Sequence, residues 1–457
     1  MSDINELLGE YKLVLGLEIH LHVRTKRKMF CRCDANIYGE APNSHTCPTC
    51  LGLPGALPVP NESAVRKAQL LGLALGCSLN ENSRFDRKHY SYPDLPKGYQ
   101  ISQYLQPLCL GGFIELSSGE KAAIERIHLE EDTAKSIHKD GVTMIDFNKS
   151  SMPLVEIVTE PIFKTIDDAV EFSKIIQDTV RILDIGDVDM EKGQMRLEAN
   201  ISLRTSEMAR EGELPNYKVE IKNINSFRFM ERAVKAEISR QRAILEGGGT
   251  PLQENRGFDE SRNETVAQRS KEQAHDYRYF PEPDIPPMVF SEEYIEDLGK
   301  LLPELPADIR SRLVKQYQLS EKNAQSLTMG SGLGLLERFE EIVALNVDPE
   351  KVANLLINKL DYKDLSLEDF VEKMGDDENK LDNEEELSTI IKDVISGNPD
   401  AVEDYKKALV GFNKKFTKGS NIFTSITCSF KNNICIDIVR RLSRWKRNYN
   451  AFNLIFR

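Results

Sequence analysis

The sequence predicts an α+β fold, in which mostly antiparallel strands with flanking helices are followed by an all-α region. Three observations carry this expectation. Apolar residues alternate with polar ones at a period of two in several segments between Tyr11 and Pro286. The stretch Pro281–Pro287 is rich in proline and marks a change of composition. Beyond it, apolar residues recur at helical spacing instead.

The first strand is the clearest. Leu13, Leu15, Leu17, Ile19, Leu21 and Val23 define one buried face, while Lys12, Val14, Gly16, Glu18, His20 and His22 lie on the other. Met195–Arg204 repeats the pattern, with Met195, Leu197, Ala199, Ile201 and Leu203 opposite Arg196, Glu198, Asn200, Ser202 and Arg204. Lys218–Lys222 is a third strand, with Lys218, Glu220 and Lys222 on its polar side. Such alternation predicts antiparallel strands with one solvated face. Helices interrupt them. Asn61 is placed to cap a helix from Glu62 toward Leu75, stopped by Gly76. Thr165–Leu183 and Phe227–Leu245 are helical in period, and the glycines 247–249 that follow form a loop after a helix rather than a phosphate cradle after a strand.

After Pro287 the predicted helices are Glu292–Leu301, Ala307–Tyr317, Ser320–Leu327, Leu333–Leu345, Pro349–Leu360 and Leu367–Met374, the last capped by Ser366. Asp376–Glu384 is acidic and predicted to be a loop, with Glu385–Ile395 and Pro399–Leu409 helical beyond it. The expected domains are 1–290, 291–362 and 363–457. From about 412 the composition shifts to Lys, Arg, Asn and aromatic residues without a clear helical pattern.

A chain of 457 residues is too long for one ordinary core. It has no apolar run of the roughly 18 residues that span a bilayer, and its first residues do not form a secretory signal. A cytoplasmic protein without a membrane partner is therefore expected. The net charge of −13 opposes bulk nucleic-acid affinity but leaves room for local basic patches, of which Arg24–Lys28 and the far C-terminal tail are two. Each is equally readable as a solvated face.

Four of the eight cysteines form two close pairs, Cys31/Cys33 and Cys47/Cys50, with thirteen residues between the pairs. Two such pairs suit one tetrahedral Zn²⁺ in a closed, non-catalytic site, the alternative being free thiols. Glu18 and His20 point the same way along a strand, about 7 Å apart. His128–Asp132 supplies Glu130 and Glu131, and Glu198 lies on the polar face of another strand. A hard cation such as Mg²⁺ takes oxygens of this kind; unrelated surface acids are the plain alternative. There is no GxxxxGK[ST] loop, no GxSxG elbow and no Gly/Ser-rich amidase nucleophile.

Longer motifs go further. GLEIHLHV (Gly16–Val23), CPTCLGLPGALPVPN (Cys47–Asn61), FDRKHYSYPDLPKGYQISQ (Phe85–Gln103), HLEEDTAKSIH (His128–His138), PLVEIVTEP (Pro153–Pro161), MEKGQMRLEAN (Met190–Asn200), EIKNINSFRF (Glu220–Phe229) and HDYRYFPEPDI (His275–Ile285) stand in order along the chain. Together they resemble the B subunit of the aspartyl/glutamyl-tRNA(Asn/Gln) amidotransferase family, from about Tyr11 to Lys407. The resemblance implies a cradle domain with a zinc knob over 1–290, a helical domain over 291–362 and a small helical tRNA-contacting tail domain over 363–457. It implies ATP-dependent phosphorylation of the side-chain carboxylate of misacylated Glu-tRNA(Gln) or Asp-tRNA(Asn), then amidation by ammonia. The ammonia would come from a glutaminase, the A subunit, held together with this chain by a small C subunit. Carried over by position, the Mg²⁺ site falls on Glu18, His20 and Glu131, with Glu130 and Glu198 adjacent, and Lys88 and Tyr90 lie near the ammonia exit. Cys31, Cys33, Cys47 and Cys50 match the zinc-bearing members.

The chain departs from the family pattern at Leu197 and Glu198, where Cys and Asp are usual. It departs most after about Lys407, where a tail that has lost the family's ending, for instance through a reading-frame change, is expected to be poorly ordered from Asn413 to Arg457. The competing possibility is a basic RNA-binding element at Arg440–Arg447, with Trp445 stacking on a base. A zinc-bearing tRNA-binding adaptor without chemistry is the alternative to the enzyme; ATP hydrolysis dependent on misacylated tRNA separates the two.

Overall fold

The computed structural model describes residues 2–270, 277–379 and 396. The expected helices at Glu385–Ile395 and Pro399–Leu409, and the tail from Asn413, lie outside these residues. The chain forms two compact units, Met1–Lys363 and Asp364–Arg457.

In the first unit the strands of the two larger sheets are β1 (Lys12–His22), β2 (Ser78–Leu79), β3 (Asp86–His89), β4 (Tyr99–Ser102), β5 (Cys109–Leu110), β6 (Phe113–Glu115), β7 (Lys121–Glu131), β8 (Pro153–Thr159), β9 (Met195–Arg204), β10 (Val219–Ile224), β11 (Glu254–Asp259), β12 (Glu264–Ser270) and β13 (Phe280–Pro281). The main sheet has the order β12-β11-β10-β9-β1-β8-β7-β5-β2, with β6 paired to β7 off that path, and β13-β3-β4 form a small second sheet. The pairings in the main sheet are antiparallel except β10 with β11.

β1 lies at the centre of this order, paired with β9 on one side and β8 on the other. Leu13, Leu15, Leu17, Ile19 and Leu21 pack into one core with helices α2 (Glu62–Ala74), α3 (Ile166–Ile182) and α5 (Phe227–Glu246). α4 (Ser206–Glu211) is a short link, and α1 (Ser2–Leu8) packs on α5. Asn61 caps α2, accepting from the N–H groups of Ser63 and Ala64. Thr165 and Ser226 do the same for α3 and α5.

The opposite face of the sheet differs from expectation. It is enclosed rather than solvated: His22, Glu130 and Glu156 are buried, and Glu18 and His20 are only partly open. Two features make this tolerable. β4 lies over the end of β7, and the charged groups of the face satisfy one another across strands.

The helices that follow are α6 (Glu292–Gly299), α7 (Pro306–Tyr317), α8 (Glu321–Leu327), α9 (Leu336–Val343) and α10 (Pro349–Asn358). The helix expected over Leu333–Leu345 is split, with a 3₁₀ segment at Gly330–Leu335 before α9. Gly332 explains the break: a Cβ there would fall 1.8 Å from the Ser326 carbonyl oxygen, so the chain turns at a contact open only to glycine. In the second unit, α11 (Leu367–Asn379) begins at the expected Ser366 cap and runs into the stretch predicted to be a loop.

Candidate active site

Antiparallel register assembles the site. His128, Glu156, His20 and Arg196 stand directly opposite one another on β7, β8, β1 and β9, forming one row across the sheet. Side chains on one face of neighbouring strands lie about 5 Å apart, so the row sets the Glu156 carboxylate between two imidazoles, with Arg196 beyond His20. His20 Nε2 is 3.5 Å from both Glu130 Oε1 and Glu156 Oε2, and His128 Nε2 is 3.2 Å from Glu156 Oε2. Ligand atoms of His20, Glu130 and Glu156 all lie within 4.8 Å of one another.

A second acidic cluster adjoins the first. Glu18 and Glu198 are cross-strand partners, and with Glu220 their carboxylates again fall within 4.8 Å. The register of β9 against β10 shifts between Leu197 and Ala199, and Asn223 adopts φ +59° in the bulge. There Lys222 Nζ sits between Glu198 at 2.7 Å and Glu220 at 2.8 Å, while Asn200 Nδ2 donates to Glu18 at 2.9 Å. An ammonium bridging two carboxylates occupies the kind of position a metal cation takes.

These neighbours set the charge states. Burial alone would lower His20, but Glu156 and Glu130 outweigh it and push the imidazole up to about 9. Burial would likewise raise Glu156; His128 and His20 overcome it and hold that carboxyl well below the usual range. Glu130 is raised by burial and by the Glu156 carboxylate beside it. Asp132 directly follows the same strand. It is buried, takes His22 Nε2 and Lys149 Nζ at 2.7 Å each, faces Arg196 at 3.5 Å and is held well below the carboxylate range against the pull of burial.

Of the residues expected at the site, Glu18, His20, Glu130 and Glu198 are brought together in these two clusters. Glu131 lies apart from both. Its carboxylate accepts from Lys97 Nζ at 2.6 Å and from the Ile101 N–H at 2.9 Å. Lys88 is close enough to Glu130 and Glu156 for their charges to outweigh its burial and keep the ammonium protonated, and its Nζ lies 5.1 Å from the centre of the Tyr277 ring. Tyr90 donates to Gln100 Oε1 at 3.0 Å. Glu156 and Glu220 are site residues that the sequence pattern did not single out. Glu156 carried a legible signal, as one acid inside the apolar run Pro153–Thr159. Glu220 falls on the polar strand face expected for it, but nothing local ties that face to β1.

The four clustered cysteine sulfurs lie within 4.8 Å of one another. A tetrahedral Zn²⁺ with Zn–S bonds of about 2.3 Å separates its sulfurs by about 3.8 Å, so this donor set fits the ion. Its hydrogen bond with Cys31 is the main cause that lowers the Cys50 thiol to about 5, opposed by burial and aided by Lys28, whose Nζ is 3.9 Å away. Burial raises Cys33 to about 11. Among the described residues, no helix is long and apolar enough to cross a membrane.

Residues 13–296 match the family model described as the GatB/GatE catalytic domain. The B subunit of the aspartyl/glutamyl-tRNA(Asn/Gln) amidotransferase of Thermotoga neapolitana is 40% identical, over 90% of this chain and 96% of its own length. The protein of the same name from Thermoanaerobacter pseudethanolicus is 38% identical over the same shares. That from Persephonella marina is 45% identical over 77% of this chain and 73% of its own. The chain belongs to the family of B subunits of the aspartyl/glutamyl-tRNA(Asn/Gln) amidotransferases.

Proposed function

We propose that this chain activates and amidates the side-chain carboxylate of a misacylated tRNA, Glu-tRNA(Gln) or Asp-tRNA(Asn), as one member of an ATP-dependent amidotransferase complex. The observation that carries the reading is the His20/Glu130/Glu156 cluster beside Glu18/Glu198/Glu220 on one enclosed sheet face. A carboxylate is a poor acyl donor. Transfer of the ATP γ-phosphoryl group to it releases ADP, and ammonia then displaces phosphate from the acyl carbon to leave the amide.

Glu130 and Glu156 would hold Mg²⁺, with His20 able to join them as a neutral ligand once the incoming cation displaces its proton, and Glu18, Glu198 and Glu220 form a second set of hard oxygen donors; bound Mg²⁺ supplies charge neutralisation on the phosphates. The chain's own groups do the rest. Glu156 is kept ionised by His20 and His128, and so stays available as a ligand. Lys88 and Arg196 place fixed positive charge at the rim of the clusters, where an incoming carboxylate and phosphate need it. Tyr90 and Lys88 add polar groups along the side where ammonia would arrive. Glu131 is assigned to the Lys97 pair as a support of the site. Cys31, Cys33, Cys47 and Cys50 would bind a structural Zn²⁺, since four protein ligands leave no open position.

The sequence shows no amidase nucleophile, so ammonia production is assigned to a partner glutaminase, the A subunit. A small C subunit would complete the complex in the cytoplasm. Reconstitution with both partners tests the reading by measuring ADP formation with and without misacylated tRNA. The wild-type complex should form ADP only with the tRNA, and Glu156→Gln should lower the rate by about a hundredfold or more, as expected for loss of a metal-site ligand. Undiminished tRNA-dependent ADP formation by Glu156→Gln would show the site to be misplaced.

A further inference from the structure

A second feature of this surface has no part in the chemistry above. A groove of about 940 Å³ runs between the cysteine knob and the start of α2. Six basic residues, Arg24, Lys26, Arg27, Lys28, Arg32 and Lys67, line it, and no acidic residue does. In a chain with 73 acidic against 60 basic residues, a wall of this composition is a local inversion of charge.

Three of the six are already engaged. Arg24 pairs with Asp184 and Asp187, Lys67 donates to the Asp184 carbonyl, and Lys28 is turned inward to the His45 carbonyl at 2.8 Å. Lys26, Arg27 and Arg32 are exposed, and among the described residues none has a carboxylate within ion-pair distance. Arg27 is steadied by donating to the Arg32 carbonyl at 3.0 Å. Beside these cations, Leu57 and Val59 are 61% and 69% exposed. Cations interleaved with apolar surface suit a ribose-phosphate chain, whose phosphates take the charges while its sugars and bases lie on the apolar steps.

The groove also leads somewhere. It shares Phe30, Thr49 and Leu57 with a neighbouring cavity of about 220 Å³ that reaches Lys97, the partner of Glu131 at the end of β7. We infer that this groove binds phosphates of the acceptor end of the tRNA, without reading its sequence, and guides the charged 3′ end toward the acidic clusters. The inference rests on the proposal above that tRNA is the substrate. An acidic protein surface is the other occupant of matching charge; the route toward Lys97 favours the RNA.

The test uses the reconstituted three-chain complex carrying Lys26→Gln/Arg27→Gln/Arg32→Gln, compared with Arg27→Lys/Arg32→Lys, which keeps the charge. Affinity for unacylated tRNA is measured against salt concentration, so binding is read independently of turnover. The neutral variant should bind about tenfold or more weakly, and its log–log salt slope should shrink by about two to three, near one for each phosphate no longer bound. KM for misacylated tRNA should rise in step while kcat at saturation stays within about twofold, and the charge-keeping variant should stay close to wild type. Unchanged affinity and slope would overturn the inference. So would intact tRNA binding by chains that no longer associate with their partners, which would make the groove a protein interface. A wild-type complex that binds tRNA but forms no ADP would instead sink the proposed activity and leave the groove standing.

Discussion

Glu131 offers a sharp division between a supporting and a metal-binding role. Its side chain is 3% exposed and that of Lys97 is 10% exposed, with 2.6 Å between carboxylate and ammonium. At an effective dielectric of about 20, a pair at that distance attracts by roughly 6 kcal/mol, and desolvation of both ions removes a large part of this. What survives is best read from what breaking the pair does. Lys97→Met leaves a buried carboxylate with only the Ile101 N–H as partner and should destabilise the chain by about 3–5 kcal/mol. Glu131→Gln in the same background removes the stranded charge and should recover about 2 kcal/mol or more of that loss. The assay is a double-mutant cycle by urea denaturation of the purified chain. Additivity within about 0.5 kcal/mol would show that the pair is not coupled, and the supporting role of Glu131 would fall.

Further outcomes follow from other sites. Gly52 has φ +68°, and a Cβ there would lie 2.4 Å from Lys97 Cγ, so Gly52→Ala should displace Lys97 and destabilise by about 1–3 kcal/mol; a neutral result by the same denaturation assay would contradict this packing. Metal analysis of protein made with zinc present should find about one Zn²⁺ per chain, lost in Cys47→Ser, and protein without zinc would refute the knob assignment. Burial raises the Cys77 thiol to about 12, above its unfolded value near 9, so its contribution is complete below pH 9 and drains away as pH rises toward 12, at up to about 1.4 kcal/mol per unit. Cys77→Ala should flatten that part of the stability-pH profile; an unaltered slope would mean that other groups dominate it.

How much is visible in the sequence depends on the range of the interaction. The β1 alternation and the Asn61 and Ser366 caps are properties of a few neighbouring residues, and the structure has them where the pattern predicts. The 3₁₀ break before α9 is not legible as such, because Gly332 is required by the carbonyl of Ser326 rather than by anything in its own helix period. The enclosure of the polar sheet face escapes for a related reason. Alternation shows which residues share a face but not what will cover it, and β4 lies over the end of β7 from another part of the chain. Glu18 and His20 can be paired from sequence since two residues on one strand face are neighbours. Glu156 and Glu220 reach them only through register with β8 and through the bulge in β10, which no local spacing reveals. The resemblance to the family pointed to Glu131, and its ion pair with Lys97 is a contact between distant parts of the chain that the motif alone does not reveal.

The row His128, Glu156, His20, Arg196 bears on how such a site can change over time. On β1 the residues between the site groups are core leucines and isoleucine, so the strand that holds His20 in the row also holds Ile19 and Leu21 in the interior. Sliding β1 by one position would turn Glu18 and His20 into the core and push Leu17, Ile19 and Leu21 into the polar clusters. A single insertion or deletion in Lys12–His22 therefore damages catalysis and folding together. Substitution in place is the route left open to this site, and a misregistered chain is eliminated by its own instability before it can bind a substrate.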